Sequence, residues 1–483
     1  MNIFVPNFLK NMSIFHDFAQ EIAAKLPFVA NKGQQLALAQ LAEFVLSEEG
    51  SGQVFVLRGY AGTGKTSLVG ALEKTMKESG RKTFLMAPTG RAAKVFASMA
   101  DKAAFTIHRS IYRQHRFSVG MEGFDLLENK YPGTLFICDE ASMISTFSEG
   151  SPFGTGNLLD DLIEFVYSAD GCRLLLVGDD AQLPPVGQVR SPALDRNRLG
   201  GYGLQVLECQ LTEVARQQLD SGILLNATLL RQHLSEGTVD ALPRIKYKRC
   251  KDVRPVQGME FLEDLERSYS QKGLDETVII TRSNVRANQF NAGVRNQILG
   301  REEELSAGER LLVVRNNYYW GRDLDNLPFI ANGDIIEVLR VRNERQLYGF
   351  RFADAEIRLP DYDIELEVTV LLDTLTVEGP NLPQERMQAL YSEIAQDYPE
   401  IRNQRDLAKV IKESPYFNAL QVKFGYCVTC HKSQGGQWKD VYLDVGYINP
   451  EHLGVDFYRW LYTAFTRATE TVYLVNPSDD MLE

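Results

Sequence analysis

Gln53-Val54-Phe55-Val56-Leu57-Arg58-Gly59-Tyr60-Ala61-Gly62-Thr63-Gly64-Lys65-Thr66-Ser67 decides the architecture of this chain. Its first residues form the short apolar, β-branched run of a buried strand, and an amphipathic stretch opens at Ser67. The loop between them fits G-x-x-x-x-G-K-[ST] in the strand, loop, helix order that phosphate binding requires. Glycines let backbone N–H groups approach phosphate, Lys65 neutralises β/γ oxygens, and the Thr66 hydroxyl can ligate Mg²⁺. A nucleotide triphosphate site is therefore expected at Gly59, Ala61, Gly62, Thr63, Gly64, Lys65, Thr66 and Ser67.

Such a loop needs a second, carboxylate-bearing strand. Leu135-Phe136-Ile137-Cys138-Asp139-Glu140 supplies it, with two acids emerging at the strand's C-terminal end, where ligands bind in open parallel sheets. Asp139 suits Mg²⁺, and Glu140 suits the base that activates the attacking water. An exposed acidic turn would be the ordinary reading of this pair, and the P-loop reverses it. Further strands are expected at 82–86 and 173–177, each followed by a Gly- or Pro-containing loop and an amphipathic stretch, the mark of a parallel α/β sheet. A second set at 277–281, 425–429, 441–445 and 471–475 implies a second, related lobe. Between about 301 and 415 the pattern changes to short strands, at 310–314, 334–338 and 365–371, and then to a helical, Pro-punctuated stretch that reads as an insertion.

Length and composition agree with this division. A chain of 483 residues accommodates about three domains of ~150 residues. No stretch approaches the ~18 uncharged apolar residues of a membrane span, and the N-terminus lacks a signal-peptide pattern. A cytoplasmic protein without a membrane partner is expected, with Met12 a possible alternative start because Met1 to Asn11 carries no readable signal. The net charge of −12 argues against a coat of positive charge for nucleic acid. Locally, however, Arg91, Lys94, Lys102, Arg109, Arg113 and Arg116 face only Asp101. This fits a cationic track or a solvated helix face equally well. The six cysteines are scattered, as expected of reduced thiols. Cys427-Val428-Thr429-Cys430-His431 matches a haem-attachment spacing, but a zinc site would want a second ligand pair that the sequence does not offer.

The remaining motifs carry a family resemblance. Gly178-Asp179-Asp180-Ala181-Gln182-Leu183-Pro184-Pro185-Val186 resembles the G-D-x-x-Q-L-P-P-V motif of superfamily 1B DNA helicases, the RecD-like and phage Dda-like group. Ala87 to Ala93 is similar to motif Ia, Thr106-Ile107-His108 to motif Ib, and Leu211 to Gln217 to motif IV. Gly425 to Gly435 resembles motif V, and Leu461 to Ala468 resembles motif VI. The likeness runs from about Asn31 to Val475, with a departure at Gly436-Gln437, where many relatives carry a small residue and then Glu.

The resemblance implies a fold of two RecA-like P-loop lobes in tandem. Lobe one would span 1–210, with a β-hairpin pin at about 112–133, and lobe two 211–300 and 416–483, with an SH3-like insertion at 301–415. It implies 5′ to 3′ movement on single-stranded DNA, driven by Mg-ATP hydrolysis, with tailed duplexes as substrates and a monomer as the active form. Catalytic roles would fall to Lys65, Glu140, Gln182 as γ-phosphate sensor, and Arg216 and Arg467 as arginine fingers. Gln34 would read adenine, adjacent Gln35 leaving the register open, and Gly435 would join the nucleotide site. DNA contacts would come from Pro88, Thr89, Arg91, His108, Phe117, Thr429, His431 and Lys432. Phe117 lies in Arg116 to Phe124, whose alternation around Gly120 and Gly123 suits a hairpin or a surface loop. Two rival functions stand beside this one: a DNA-dependent translocase that does not unwind, and a P-loop switch.

Overall fold

The computed structural model describes residues 7–47, 52–114, 124–147, 153–213, 221–322, 324, 327, 329–448, 451 and 453–483. The described residues form two compact units. The first takes in everything up to Glu236 except Thr89–Arg91, and the second takes those three residues and everything from Gly237 onward.

The first unit is built on a parallel sheet of β1 (Gln53–Gly59), β2 (Thr83–Ala87), β3 (Ala104–Thr106), β6 (Leu135–Cys138), β7 (Arg173–Gly178) and β8 (Gln205–Leu211), in the order β3-β2-β6-β7-β1-β8. Strands β1, β6 and β7 are adjacent, with Val54 opposite Leu174 and Leu135 opposite Arg173. Their C-terminal ends therefore deliver the P-loop, Asp139 and Asp179 to one edge. Helices α1 (Asn7–Ala24), α2 (Lys32–Leu46) and α3 (Lys65–Glu78) pack Ile22, Leu41 and Leu68, all fully buried, into a core with Leu57, Leu175 and Val177. Helices α4 (Gly90–Ala100), α5 (Ile107–Ile111), α6 (Leu158–Tyr167), α7 (Arg196–Gly200) and α8 (Gly222–Glu236) complete the set. The six-stranded sheet keeps β8 at an edge, and residues 211–213 and 221–236, in the stretch read from sequence as the start of lobe two, group with the first unit.

A two-stranded antiparallel ribbon, β4 (Tyr112–Gln114) and β5 (Phe124–Leu126), forms the expected hairpin insertion. Its base is fixed by packing. Phe124, 5% exposed, lies 4.6 Å from the Phe153 ring, and Tyr112 lies 5.0 Å from the same ring. The Tyr112 hydroxyl donates to the buried Asp161 carboxylate at 2.6 Å, which also accepts from the Thr155 hydroxyl at 2.8 Å. Phe117, the expected DNA-contacting tip, lies outside the described residues.

The second unit holds a five-stranded sheet and a closed barrel. The sheet runs β16-β10-β17-β18-β9, all parallel, from β9 (Val253–Val256), β10 (Thr277–Thr281), β16 (Cys427–Thr429), β17 (Trp438–Asp444) and β18 (Ala468–Val475). The edge position of β9 accommodates Pro255, which has no N–H to offer a further neighbour. Helices α9 (Gly258–Lys272), α10 (Asn284–Gly293), α13 (Cys430–Ser433) and α14 (Val455–Phe465) belong to this sheet's lobe. The barrel closes through β11 (Arg310–Val313), β12 (Ile335–Leu347), β13 (Phe350–Leu359), β14 (Ile364–Leu371) and β15 (Leu420–Phe424), with α11 (Gln384–Ala395) and α12 (Gln404–Lys412) between its last two strands. Closure depends on β15, which pairs antiparallel to β11 and parallel to β14. It lies beyond residue 415, where the sequence pattern set the end of the insertion. Where the barrel meets the sheet's lobe, Glu309 is fully buried and accepts from Arg295 Nε at 2.8 Å and the Tyr426 hydroxyl at 2.6 Å, with Arg301 at 3.1 Å. Multiple donors make such a buried carboxylate tolerable.

Candidate nucleotide site and nucleic-acid contacts

The P-loop takes the shape its glycines permit. Gly62 and Gly64 hold φ of 74° and 84°, left-handed values open to glycine. At Gly59 a Cβ would meet Thr63 Oγ1 at 2.7 Å and Lys65 Cγ at 2.9 Å, so the tight first turn excludes any side chain. Helix α3 then starts at Lys65 with no side-chain cap, which leaves its first N–H groups available to an anion. Lys65 Nζ folds back onto the loop, donating to the carbonyls of Gly59 at 2.6 Å and Tyr60 at 3.1 Å.

The adjacent glutamines separate cleanly. Gln34 is 1% exposed; its Oε1 accepts from Asn31 N–H at 2.9 Å as half of a capping box, and its Nε2 donates to the Thr63 carbonyl at 2.9 Å. Gln35 donates to the Ala30 carbonyl. Gln34 thus braces the P-loop. Phe28 shares that position, its ring 3.1 Å from where a Gly64 Cβ would stand, and no sequence signal marked it.

Opposite the loop, the Thr66 hydroxyl donates to Asp139 Oδ2 at 3.4 Å. Burial, reinforced by the charge of Glu140, pushes the Asp139 carboxyl up to about 6. Glu140 adopts a left-handed φ of 52° and donates its N–H to Asp139 Oδ1 at 2.8 Å. A non-glycine residue held there stores strain of about 1–3 kcal/mol, a feature that clusters at functional sites. Gln182 is 6% exposed, and its Oε1 is buried with no hydrogen-bond partner. The residues therefore fit Mg-ATP on their own chemistry: unfilled helix N–H groups, a hydroxyl and carboxylate within reach of one cation, two adjacent acids that a cation would relieve, and an orphaned amide oxygen.

In the second unit, motifs V and VI come together. Arg467 is 4% exposed and donates to the Thr463 carbonyl at 3.1 Å, the Gly436 carbonyl at 3.3 Å and the Thr466 hydroxyl at 3.2 Å. Gly435, at φ 73°, precedes that carbonyl. The departure at Gly436 has a steric cause, because a Cβ there would stand 2.5 Å from the Trp438 ring. Arg91 joins the same cluster, its guanidinium 3.9 Å over the Trp438 ring and donating to the Gln437 carbonyl at 2.9 Å. It is thus engaged with protein groups. Arg216 lies outside the described residues.

The remaining expected DNA contacts differ in character. Thr429 ends β16, His431 is exposed on α13, and Lys432 is half-buried with its ammonium pushed down to about 8 by burial. Pro88 and Thr89 follow β2 and are half-buried. His108 packs edge-on against Phe153 at 4.7 Å, and burial drives its imidazole down to about 4, so it is neutral at pH 7 and offers no cationic contact to phosphate. Cys427 is a strand residue and Cys430 donates to the Trp460 carbonyl; both thiols are pushed up by burial. Among the described residues no group of three or more His, Cys, Asp or Glu side chains could hold a metal, and no helix is long and apolar enough to cross a membrane.

A parallel sheet that carries a P-loop and an acid pair, followed by a second parallel-sheet lobe with a barrel insertion, defines a two-lobed P-loop NTPase. A family model described as an AAA domain matches residues 29–246, and one described as a UvrD-like helicase C-terminal domain matches 424–475. The ATP-dependent RecD2 DNA helicase of Deinococcus radiodurans is 33% identical over 165 residues, covering 33% of this chain and 20% of that protein. The ATP-dependent DNA helicase dda of Enterobacteria phage T4 is 23% identical over 332 residues, covering 64% of this chain and 68% of that protein. A crystal structure of Pif1 helicase from Bacteroides in complex with ADP-AlF3 and ssDNA aligns with a TM-score of 0.46 at 16% identity, over 94% of this chain and 95% of that one. Its ordered motifs and the two family-model matches make the chain similar to the ATP-dependent DNA helicases of superfamily 1B.

Proposed function

We propose that this protein hydrolyses Mg-ATP to move 5′ to 3′ along single-stranded DNA and to unwind tailed duplexes, as a monomer. The observation that carries the reading is the first unit's edge, where P-loop, Asp139, Glu140 and the unpartnered Gln182 amide oxygen gather on adjacent strands. Thr66 and Asp139 would hold Mg²⁺, which when bound neutralises phosphate charge. Lys65 exchanges its loop carbonyls for phosphate oxygens, and Glu140 takes the proton of the attacking water. Gln182 reports the γ-phosphate, and Arg467 and Arg216 stabilise charge developing on the transferring group. Gln34 and Gly435 border the nucleotide. Thr429, His431 and Lys432, with Pro88 and Thr89, meet the DNA backbone, so binding is nearly indifferent to sequence and weakens steeply with salt.

The polarity rests on the superfamily 1B motifs. ATPase and strand-displacement assays on 5′-tailed and 3′-tailed duplexes test the proposal. A 5′ tail is expected to support unwinding and a 3′ tail alone is not; the reverse removes the polarity, and DNA-stimulated ATPase without displacement leaves a translocase.

A further inference from the structure

Tyr60 occupies a variable position of the P-loop, and its ring carries contacts that phosphate binding does not call for. The Arg231 guanidinium, on α8, lies 4.1 Å from the ring centroid. The Tyr60 hydroxyl accepts from Gln210 Nε2 at 2.9 Å, and Arg231 Nη1 donates to the Thr212 carbonyl at 3.1 Å. Three segments distant in sequence, the P-loop, the end of β8 and α8, therefore converge on one aromatic ring. The main chain beneath that ring is itself a junction. The Tyr60 carbonyl accepts from the Thr63 hydroxyl at 2.7 Å, from Thr63 N–H at 3.3 Å and from Lys65 Nζ at 3.1 Å. A loop built of glycines loses much conformational freedom when it orders around phosphate, and an anchor at residue 60 removes part of that loss beforehand.

We propose that Arg231 is a positioning residue for nucleotide binding, acting through the Tyr60 ring to hold the P-loop in the shape that receives phosphate. The proposal rests on the ATP-site reading above and adds a residue that no P-loop motif contains. Holding the loop equally for ground state and transition state affects binding and leaves the chemical step alone. A cation–π contact at a half-exposed site corresponds to about a two- to fivefold change in affinity.

The test measures Kd for a fluorescent ATP analogue with Mg²⁺, together with kcat and KM for DNA-stimulated ATPase, in the full chain. Arg231→Ala and Tyr60→Leu are each expected to raise Kd and KM about two- to fivefold, with kcat and the melting temperature nearly unchanged. The double variant is expected to bind no more weakly than the worse single one, because each change removes the same contact. Arg231→Lys, which keeps a cation over the ring, is expected to recover most of the affinity. Wild-type Kd in Arg231→Ala, penalties that multiply in the double variant, or a loss confined to kcat overturns the proposal. A wild-type chain that binds no nucleotide overturns the ATP-site reading itself, a result distinct from wild-type and Arg231→Ala proteins that bind equally well.

Discussion

Gly436→Ala tests how motif V supports the arginine of motif VI. The added methyl would stand 2.5 Å from Cη2 and 2.8 Å from Cζ3 of Trp438, and 3.0 Å from Arg91 Nε. Ordinary carbon contacts lie at about 3.5–4.0 Å, so the indole has to shift by roughly 1 Å. Trp438 has little room to move: it is 4% exposed, starts β17, and is covered by the Arg91 guanidinium. Overpacking of this kind costs about 1–3 kcal/mol, a fall in melting temperature of about 2–12 °C for a unit of this size. The functional effect follows from the Gly436 carbonyl, which holds Arg467 Nη1 at 3.3 Å. A shift there misplaces the guanidinium, and kcat for ATP hydrolysis is expected to fall on the order of tenfold while KM changes less than about twofold. Thermal denaturation and steady-state ATPase assays read the two effects. Trp438→Leu in the Gly436→Ala background removes the clash and is expected to restore part of both. A Gly436→Ala protein with wild-type melting and wild-type kcat would refute the reasoning, as would a double variant that recovers nothing.

Lys65→Ala is expected to lower ATP hydrolysis more than about 100-fold with little change in melting, because Lys65 Nζ bonds to loop carbonyls and not to the core; turnover near wild type would remove the site assignment. Arg467→Lys keeps a charge but loses the guanidinium fork, so kcat should drop far more than nucleotide affinity, and equal losses in both would count against a transition-state role. Replacing residues 117–123 by a Gly-Ser linker, while keeping the buried Phe124, should leave DNA-stimulated ATPase near normal and greatly reduce unwinding; survival of both activities in a strand-displacement assay places the wedge elsewhere. Asp334 is 3% exposed, and burial holds its carboxyl up to about 7 in place of the ordinary 3.8. The folded protein therefore binds this proton more tightly than the unfolded chain does, so ionisation costs stability as pH rises from about 4 towards 7, and the cost is complete above that. The distance from 3.8 to about 7 sets a ceiling of about 4 kcal/mol, and Asp334→Asn is expected to gain about 1–3 kcal/mol at pH 8 and little at pH 4. Urea unfolding at both pH values checks this, and equal stability of the two proteins at pH 8 would contradict it.

The sequence by itself made the nucleotide motifs legible, because each of them is contiguous. Gly59 to Thr66, Asp139-Glu140 and the loop holding Gln182 each follow an apolar run that can only be a buried strand, so loop identity and location were read together. The interior strands of both sheets were legible for the same reason. Edge strands β8 and β9 were not: half their surface faces away from the core, so β8 alternates with polar residues and β9 admits Pro255. Barrel closure was hidden as well, since pairing Leu311 with Phe424 depends on two segments with no local signal for each other. Only tertiary structure could show that Gln34 and not Gln35 braces the P-loop, since neighbouring helical positions point in different directions. Likewise, nothing near Arg231 in sequence marks it as the cap of Tyr60, and nothing near Arg91 marks Trp438 as its partner. A side chain's role is legible from sequence when its partner is a few residues away or is a ligand that the motif itself defines. When the partner is another side chain brought near by the crossing of sheet and helix, packing decides the role.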